Sequence, residues 1–480
     1  MPVTPYCKNF FQTRHDLYQF LLSCQPTPDE IHQTQIISIS FEIDPVHPLV
    51  ALRQLAGASQ FNFYFEKQDL TRAIGPGSDG YGIAAIDSVL RFQTEGADRF
   101  DQVKAFIQSV VERVILAGDT KLPFAGPHFF CNFSFFDHIQ LESPFPAATV
   151  FLPAWQVAYQ EQRYSLVGNL VISATTPLAQ TVDQFWNTLQ TIHSLSSAEP
   201  FPLLQPIQRL RAVDVTPTHQ FKQSVQSVLA LIQAEQVHKL VLAHAVDVVA
   251  PSPFQSIRAL DNLRRLYPDC YIFSSGNGRG QHFLGASPER LLRLRDRQLI
   301  TDTLAGSAPR GKTTCEDAYL ASKLLSSPKE LHEHRLVLNF IMQQLVHLGL
   351  NPQCAPLRLL QLSNIQHLQT PIHAVVPDEI HLLDILAQLH PTPAVAGVPK
   401  ALACEQIHRY EAFDRSLYAA PIGWIDYHAN GEFAVGIRSA VMNGCQARLY
   451  GGAGIVAGSD PDRELAEVQL KLQALLHALG

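Results

Sequence analysis

PIGWIDYHANGEFAVGIRSAVMNGCQARLYG, residues 421–451, contains three short apolar runs. Pro421–Tyr427, Phe433–Ser439 and Ala447–Gly451 read as strands, with only short turns between them. Strands joined so tightly pair antiparallel. A helix is predicted just after them, over Pro461–Leu479, and others over Pro328–Leu348 and Glu379–Leu389. Antiparallel strands with helices packed outside make an α+β fold.

Working upstream, further strands fit Lys239–Val249, Tyr271–Ser275, Leu291–Arg295 and Leu299–Thr303. Before them, Thr218 is placed to cap a helix whose apolar residues Phe221, Val225, Val228, Leu229 and Ile232 follow helical spacing. Residues 1 to about 195 differ in character. Aromatic runs at 61–65 (FNFYF) and 129–136 (FFCNFSFF) read as strands, Gly75-Pro76-Gly77 as a turn, and Phe100 to about Ala117 as a helix. The proline-rich stretch Ser196–Pro206 reads as a connection between the halves.

The 480 residues are 46% hydrophobic and 16% charged, which describes a soluble globular chain with a sizeable core. A formal net charge of -7 argues against a basic surface for nucleic acid, yet leaves room for a small anionic substrate. No apolar stretch is long enough to span a bilayer, and the N-terminus lacks the pattern of a secretory signal. The cysteines lie far apart with no CxxC pair, so a reduced cytoplasmic location is expected and a zinc knuckle is not.

Two helices carry charge where it is costly. On the helix from Pro328, Glu330 and Glu333 share a side. Glu333 falls in line with the apolar stripe Val337, Phe340, Ile341, Leu345 and Leu348. A carboxylate on a buried stripe must be paired, hydrogen-bonded or bound to a cation. Glu330 has a second reading, because Ser327-Pro328-Lys329-Glu330 is a capping box with proline at N1. On the last helix, Glu464, Glu467 and Lys471 flank the stripe of Leu465, Val468, Leu472, Leu475, Leu476 and Leu479. Alone they read as a solvated face. Taken with the first helix they make four carboxylates around a hard cation, for which Mg2+ fits. His332-Glu333-His334 lacks the HExxH spacing of a zinc site.

Gly452-Ala453-Gly454-Ile455-Val456-Ala457 formally matches G-x-G-x-x-A, but the chain given stops after the following helix, so the dinucleotide reading fails. Two readings stand: a tight turn between strand and helix, or a loop whose N–H groups receive an anion.

These features occur with a series of strings in one order. They are KLVLA (239–243), FLGASPE (283–289), LAGS (304–307), Glu333-His334, IQHL (365–368), LHPTPAV (389–395), FDRSLY (413–418), IRSA (437–440) and GAGIV (452–456), followed by Glu464, Glu467 and Lys471. In this order they resemble the chorismate-utilising enzymes, over roughly residues 206–475. The resemblance implies one large domain, residues 1–480, of two stacked, mainly antiparallel sheets with peripheral helices. Within it, 1–205 is a variable half that supplies strands to the fold, and 206–475 is the chorismate-binding catalytic half. One departure from the family pattern is Ala420, where many relatives have glycine.

The family divides by nucleophile. Aminating members usually lack lysine at the position matching Lys239, and aminodeoxychorismate synthases carry one where this chain has Ala305. Lysine at 239 and not at 305 resembles the water users, which implies an isochorismate synthase with no glutamine amidotransferase subunit. Salicylate synthases, the alternative, commonly have threonine where this chain has Ala394. The resemblance implies that Lys239 takes a proton from water attacking C2 of chorismate and that Glu289 protonates the departing C4 hydroxyl. Glu333 and Glu467 would hold Mg2+ on the ring carboxylate, with Glu330 and Glu464 orienting its waters. Arg438, Tyr418 and Gly452 would bind the enolpyruvyl carboxylate, and Gly306, Ser307, His367, Ala394 and Lys471 would complete the pocket. Menaquinone or phylloquinone synthesis, a siderophore and salicylate supply all begin with this reaction.

Overall fold

A computed structural model describes residues 11, 13–27, 34–57, 60–68, 80–140, 143–195, 210–362 and 365–480. The connection at 196–206 and the turn at 75–77 lie outside the described residues. Two large sheets dominate. In the larger, strands follow the spatial order Arg211–Asp214, Lys239–Val249, Gln446–Ile455, Ser439–Asn443, Gln281–Ser287, Tyr271–Asn277, Phe61–Lys67, Tyr81–Ile86, Trp155–Gln160, Arg163–Ser173, Thr34–Glu42 and Val114–Gly118. Every neighbouring pair is antiparallel except the last, where Thr34–Glu42 runs parallel to Val114–Gly118. The smaller sheet orders Gln353–Cys354, Ile365–Val375, Gln298–Pro309, Arg290–Arg295, Gly431–Val435, Pro421–Asp426, His128–Phe133, Ala148–Leu152 and Leu90–Thr94. Each half of the chain contributes one contiguous block of strands to each sheet, and the blocks join at Phe61–Lys67 against Tyr271–Asn277 in the larger and at His128–Phe133 against Pro421–Asp426 in the smaller.

Between the sheets lies an aromatic layer that includes Phe63, Phe65, Phe130, Phe273 and Phe283, none of them exposed. Each such side chain contributes on the order of 2–3 kcal/mol by leaving water. One carboxylate is buried there. Glu432, on the smaller sheet, accepts hydrogen bonds from the hydroxyls of Tyr81 and Tyr271, on the larger sheet, each at 2.7 Å. That satisfies a charge which would otherwise be costly in the core. Among the described residues, no helix is long and apolar enough to cross a membrane, and the described cysteines are all free.

Local differences from the sequence reading have physical causes. The helix Arg99–Val111 ends before Val114–Gly118, a β-rich run that finds its parallel partner far upstream. Thr218 is the first residue of its helix, and Pro217 occupies the cap without a side-chain bond. The stretch Phe433–Ser439 is not one strand. Gly431–Val435 belongs to the smaller sheet and Ser439–Asn443 to the larger, with Arg438 between them at φ 48°. Gly452, Ala453 and Gly454 lie inside the strand Gln446–Ile455 and form no loop. The final helix has the bounds expected of it, Pro461–Leu479, because Asp460 caps it by accepting from the N–H groups of Asp462 and Arg463.

Candidate active site

A cavity of about 890 Å³, including its open mouth, lies where the sheets meet the helices Pro328–His347 and Pro461–Leu479. One wall comes from the paired strands Lys239–Val249 and Gln446–Ile455, in which Val241 faces Gly454 and Ala243 faces Gly452. The glycines are there for room. A Cβ on Gly454 would fall 2.6 Å from Glu333 Oε1, and one on Gly452 would fall 2.7 Å from Tyr418 Oη. The opposite wall uses an irregularity in Gln298–Pro309. Its pairing with Ile365–Val375 shifts between Leu304 and Ser307, and Gly306 takes φ 80° there. That kink points the Ser307 N–H at Glu330 Oε2, 3.1 Å away.

The two helices bring Lys329, Glu330, Glu333, Glu464, Glu467 and Lys471 to this cavity. Lys471 pairs with Glu467 at 2.7 Å, and Lys329 pairs with Glu464 at 3.1 Å and with Glu330 at 3.9 Å. Lys239, 1% exposed, pairs with Glu333 at 2.8 Å. Lys239 is not itself among the lining residues; Glu333 is. Burial, followed by the charge of Glu333, pushes Glu330 up to about 7. Burial also raises Glu464 against the pull of Lys329. For Glu333, burial acts upward, but Lys239, Lys329 and Lys471 outweigh it and hold the group below its ordinary value. Ser327 caps the first helix by accepting from the Glu330 N–H, yet the Glu330 side chain turns to Ser307. The capping box is therefore half formed, and Glu330 faces the cavity. Glu464 is 2% exposed, so the solvated-face reading of the last helix is wrong for it.

Glu289 sits where the chain passes from Gln281–Ser287 in the larger sheet to Arg290–Arg295 in the smaller. Its N–H donates to Ser287 Oγ at 3.2 Å and its carbonyl accepts from the Val435 N–H at 3.0 Å, so its backbone is fixed. Burial pushes its carboxyl up to about 7, with Lys239 opposing and Asp302 assisting.

A cationic end completes the cavity. Arg438 Nη2 donates to His367 Nε2 at 3.1 Å. Arginine has no acceptor, so His367 Nε2 must be bare and the ring hydrogen sits on Nδ1, which lies 3.1 Å from Ser307 Oγ. Burial, then Arg438 and Lys471, keep His367 well below its ordinary pKa, hence neutral. Arg438 Nη1 is buried with no hydrogen-bond partner among the described residues. The Arg438 side chain lines the cavity, where a guanidinium suits a carboxylate. Tyr418, stacked on Tyr450 at 5.0 Å, lines the same space. Lys471 Nζ donates to the Gly452 carbonyl at 2.9 Å.

Comparison with known proteins agrees with this geometry. The family model described as "Chorismate binding enzyme" matches residues 19–480. The chain belongs to the chorismate-binding enzymes. Its relatives include the "Salicylate biosynthesis isochorismate synthase" of Pseudomonas aeruginosa, 31% identical over 93% of this chain and 90% of that protein. They also include the "Isochorismate synthase EntC" of Escherichia coli, 31% identical over 71% of this chain and 87% of that protein. The solved structure of MenF, the menaquinone-specific isochorismate synthase from Escherichia coli, is similar with a TM-score of 0.76 at 27% identity, covering 98% of this chain and all of that one.

In this chorismate-binding enzyme the structure gathers Glu289, Gly306, Ser307, Glu330, Glu333, His367, Ala394, Tyr418, Arg438, Gly452, Glu464, Glu467 and Lys471 around one cavity, with Lys239 directly behind Glu333. Lys329 also belongs there and escaped the sequence reading, because in sequence it looks like the second residue of a helix cap. Among the described residues, no three acidic, imidazole or thiol groups stand close enough to form a ready-made ion cage. All four carboxylates are turned to lysines instead, Glu330 at the longest distance, 3.9 Å. The donor set still fits a hard cation: it is all oxygen, and Glu330 is raised by burial and by its carboxylate neighbour, a strain that a divalent charge relieves.

Proposed function

We propose that this chorismate-binding enzyme is a magnesium-dependent isochorismate synthase, an isomerase of the hydroxymutase type. The observation that carries the reading is Glu289, a carboxyl that burial pushes up to about 7, on the wall of a cavity that Arg438 also lines. Such an acid is protonated near neutrality and can protonate a leaving hydroxyl. The names of the relatives support the same reaction.

In the reaction, water forms a bond to C2 of chorismate, the ring double bonds shift, and the C4–O bond breaks. Glu289 gives its proton to the departing hydroxyl, which leaves as water. Lys239 takes the proton from the attacking water. Lys239 acts as the free amine, so its 2.8 Å pair with Glu333 must open before it can take that proton. Arg438 and Tyr418 would hold the enolpyruvyl carboxylate, aided by the Gly452 N–H, and His367 and Ser307 fix the guanidinium from behind. Glu333 and Glu467 would hold magnesium, with Glu330 and Glu464 orienting its waters. When bound, the ion neutralises the ring carboxylate and fixes its orientation.

Because water is the nucleophile, no glutamine amidotransferase partner is required; the described cysteines, all free, support a cytoplasmic location. The methyl group of Ala394 lines the cavity without a hydroxyl, which supports a reaction that stops at isochorismate. We place the product at the first step towards menaquinone or phylloquinone, in line with the menaquinone-specific structural relative. The relative named for salicylate biosynthesis favours a second destination, salicylate supply. Turnover in H2¹⁸O tests the chemistry. The product must gain one heavy oxygen, at C2. Unlabelled isochorismate would rule out attack by water.

A further inference from the structure

Arg415 is fully buried. Its Nε donates to Glu411 Oε2 at 2.8 Å and its Nη2 to Glu411 Oε1 at 2.6 Å. The same guanidinium reaches two main-chain carbonyls, Val395 through Nη1 at 2.8 Å and Val241 through Nη2 at 2.9 Å. Glu411 Oε1 in turn accepts from the Ala243 N–H at 2.7 Å. The Arg415 carbonyl accepts from the Tyr418 N–H at 2.7 Å. The guanidinium is seated over the Phe135 ring at 4.3 Å.

Three separate pieces of chain meet at this pair: the strand Lys239–Val249, the loop through Val395, and the turn into Tyr418. Val241, Val395 and Tyr418 all line the cavity, and Val241 lies two residues from Lys239 on one strand. A buried ion pair adds little stability, because desolvation offsets most of its Coulomb energy. Planar, multidentate bonds to two wall carbonyls instead fix a distance, which lysine cannot do from a single point.

We infer that Arg415 and Glu411 form a positioning clamp for the reaction, setting the strand that carries Lys239 against the Val395 loop and Tyr418. The inference rests on the isochorismate synthase reading. The clamp acts through the walls, so its loss misaligns the ring between Lys239 and Glu289. Of the groups proposed to grip the substrate charges, Arg438 and the carboxylate cluster are left in place, and only Tyr418 shifts with the clamp.

The test is the double substitution Glu411→Met with Arg415→Met, which fills the volume with apolar atoms and leaves no charge stranded. Chorismate Kd by calorimetry, kcat by product chromatography and Tm are measured together. The clamp predicts Tm within a few degrees of wild type, Kd within about threefold, and kcat lower by on the order of 10², as a misplacement of about 1 Å produces. A well-folded double variant with kcat within threefold of wild type overturns the inference. If that variant melts below the assay temperature, Glu411→Gln decides. It keeps one acceptor oxygen but turns an NH2 towards the Arg415 Nε–H. A loss of kcat of at least fivefold with Kd and Tm unchanged supports the clamp, and an unchanged kcat overturns it. The reaction is read from the wild type and the clamp from the ratio of variant to wild type, so the two failures are distinguishable.

Discussion

Replacing Glu289 by glutamine should stabilise the protein at alkaline pH while destroying its activity. The carboxyl titrates at 4.5 when free and at about 7 in the fold, chiefly because burial disfavours the charge. For a group whose folded pKa is raised, the protonated form is the one the fold prefers. Its contribution is fully present below pH 4.5 and is lost as pH rises through 7. At about 1.36 kcal/mol per pH unit of difference, the wild type loses roughly 3 kcal/mol between those limits from this residue. Glutamine has the same shape and no charge to bury, so it escapes that loss. Unfolding entropy of about 2 cal/mol/K per residue, over a chain of this length, converts roughly 3 kcal/mol into about 3 °C of Tm. The assay is thermal melting of both proteins in EDTA at pH 4.5 and pH 8.5. The variant should match the wild type at the lower pH and exceed it by about 3 °C at the higher. Turnover should fall by on the order of 10²–10⁴, the usual contribution of a general acid. In the wild type, kcat/KM should drop as pH rises above 7. A variant no more stable at pH 8.5 than the wild type would refute the claim that Glu289 is buried protonated.

Other consequences are as direct. Magnesium affinity should rise between pH 6 and pH 8, because Glu330 must lose the proton that burial holds on it up to about 7; calorimetry at the two values measures this, and a flat response would remove Glu330 from the ion's surroundings. Gly454→Ala should cut turnover at least tenfold with little change in Tm, since its methyl would lie 2.6 Å from Glu333 Oε1 and 3.1 Å from Lys239 Cε; the paired measurements are kcat and a melting curve. Arg438→Lys should lower kcat/KM by roughly 10–100-fold, the 1.5–3 kcal/mol of a charge-assisted hydrogen bond lost with the guanidinium fork, as steady-state kinetics with chorismate would show.

How much of this was legible in the sequence depends on how local each determinant is. The strand Lys239–Val249 and the helix Pro461–Leu479 could be read to the residue because their signals lie within them: a β-rich run, and an aspartate cap with proline at N1. Glu333 declared itself by sitting on an apolar stripe, and its partner Lys239 is nearly a hundred positions away. Glu464 could not be read so easily. It flanks its stripe, and its burial depends on Lys329 from the other helix. Gly452 and Gly454 looked like a loop because glycine usually breaks a strand. Here the missing Cβ atoms make way for Tyr418 and Glu333, which only the tertiary fold brings near. The break at Arg438 was hidden for a similar reason: its left-handed backbone lets one apolar run serve two sheets. The clamp gives no sequence signal beyond the place of Arg415 in the string FDRSLY, which begins two residues after Glu411.

The most direct test of the account is a product assay. Purified protein is incubated with chorismate and Mg2+, without ammonia, and the mixture is resolved by chromatography beside an EDTA control. The account predicts isochorismate with the metal and none with EDTA. Salicylate with pyruvate, or turnover only when ammonia is supplied, would contradict it.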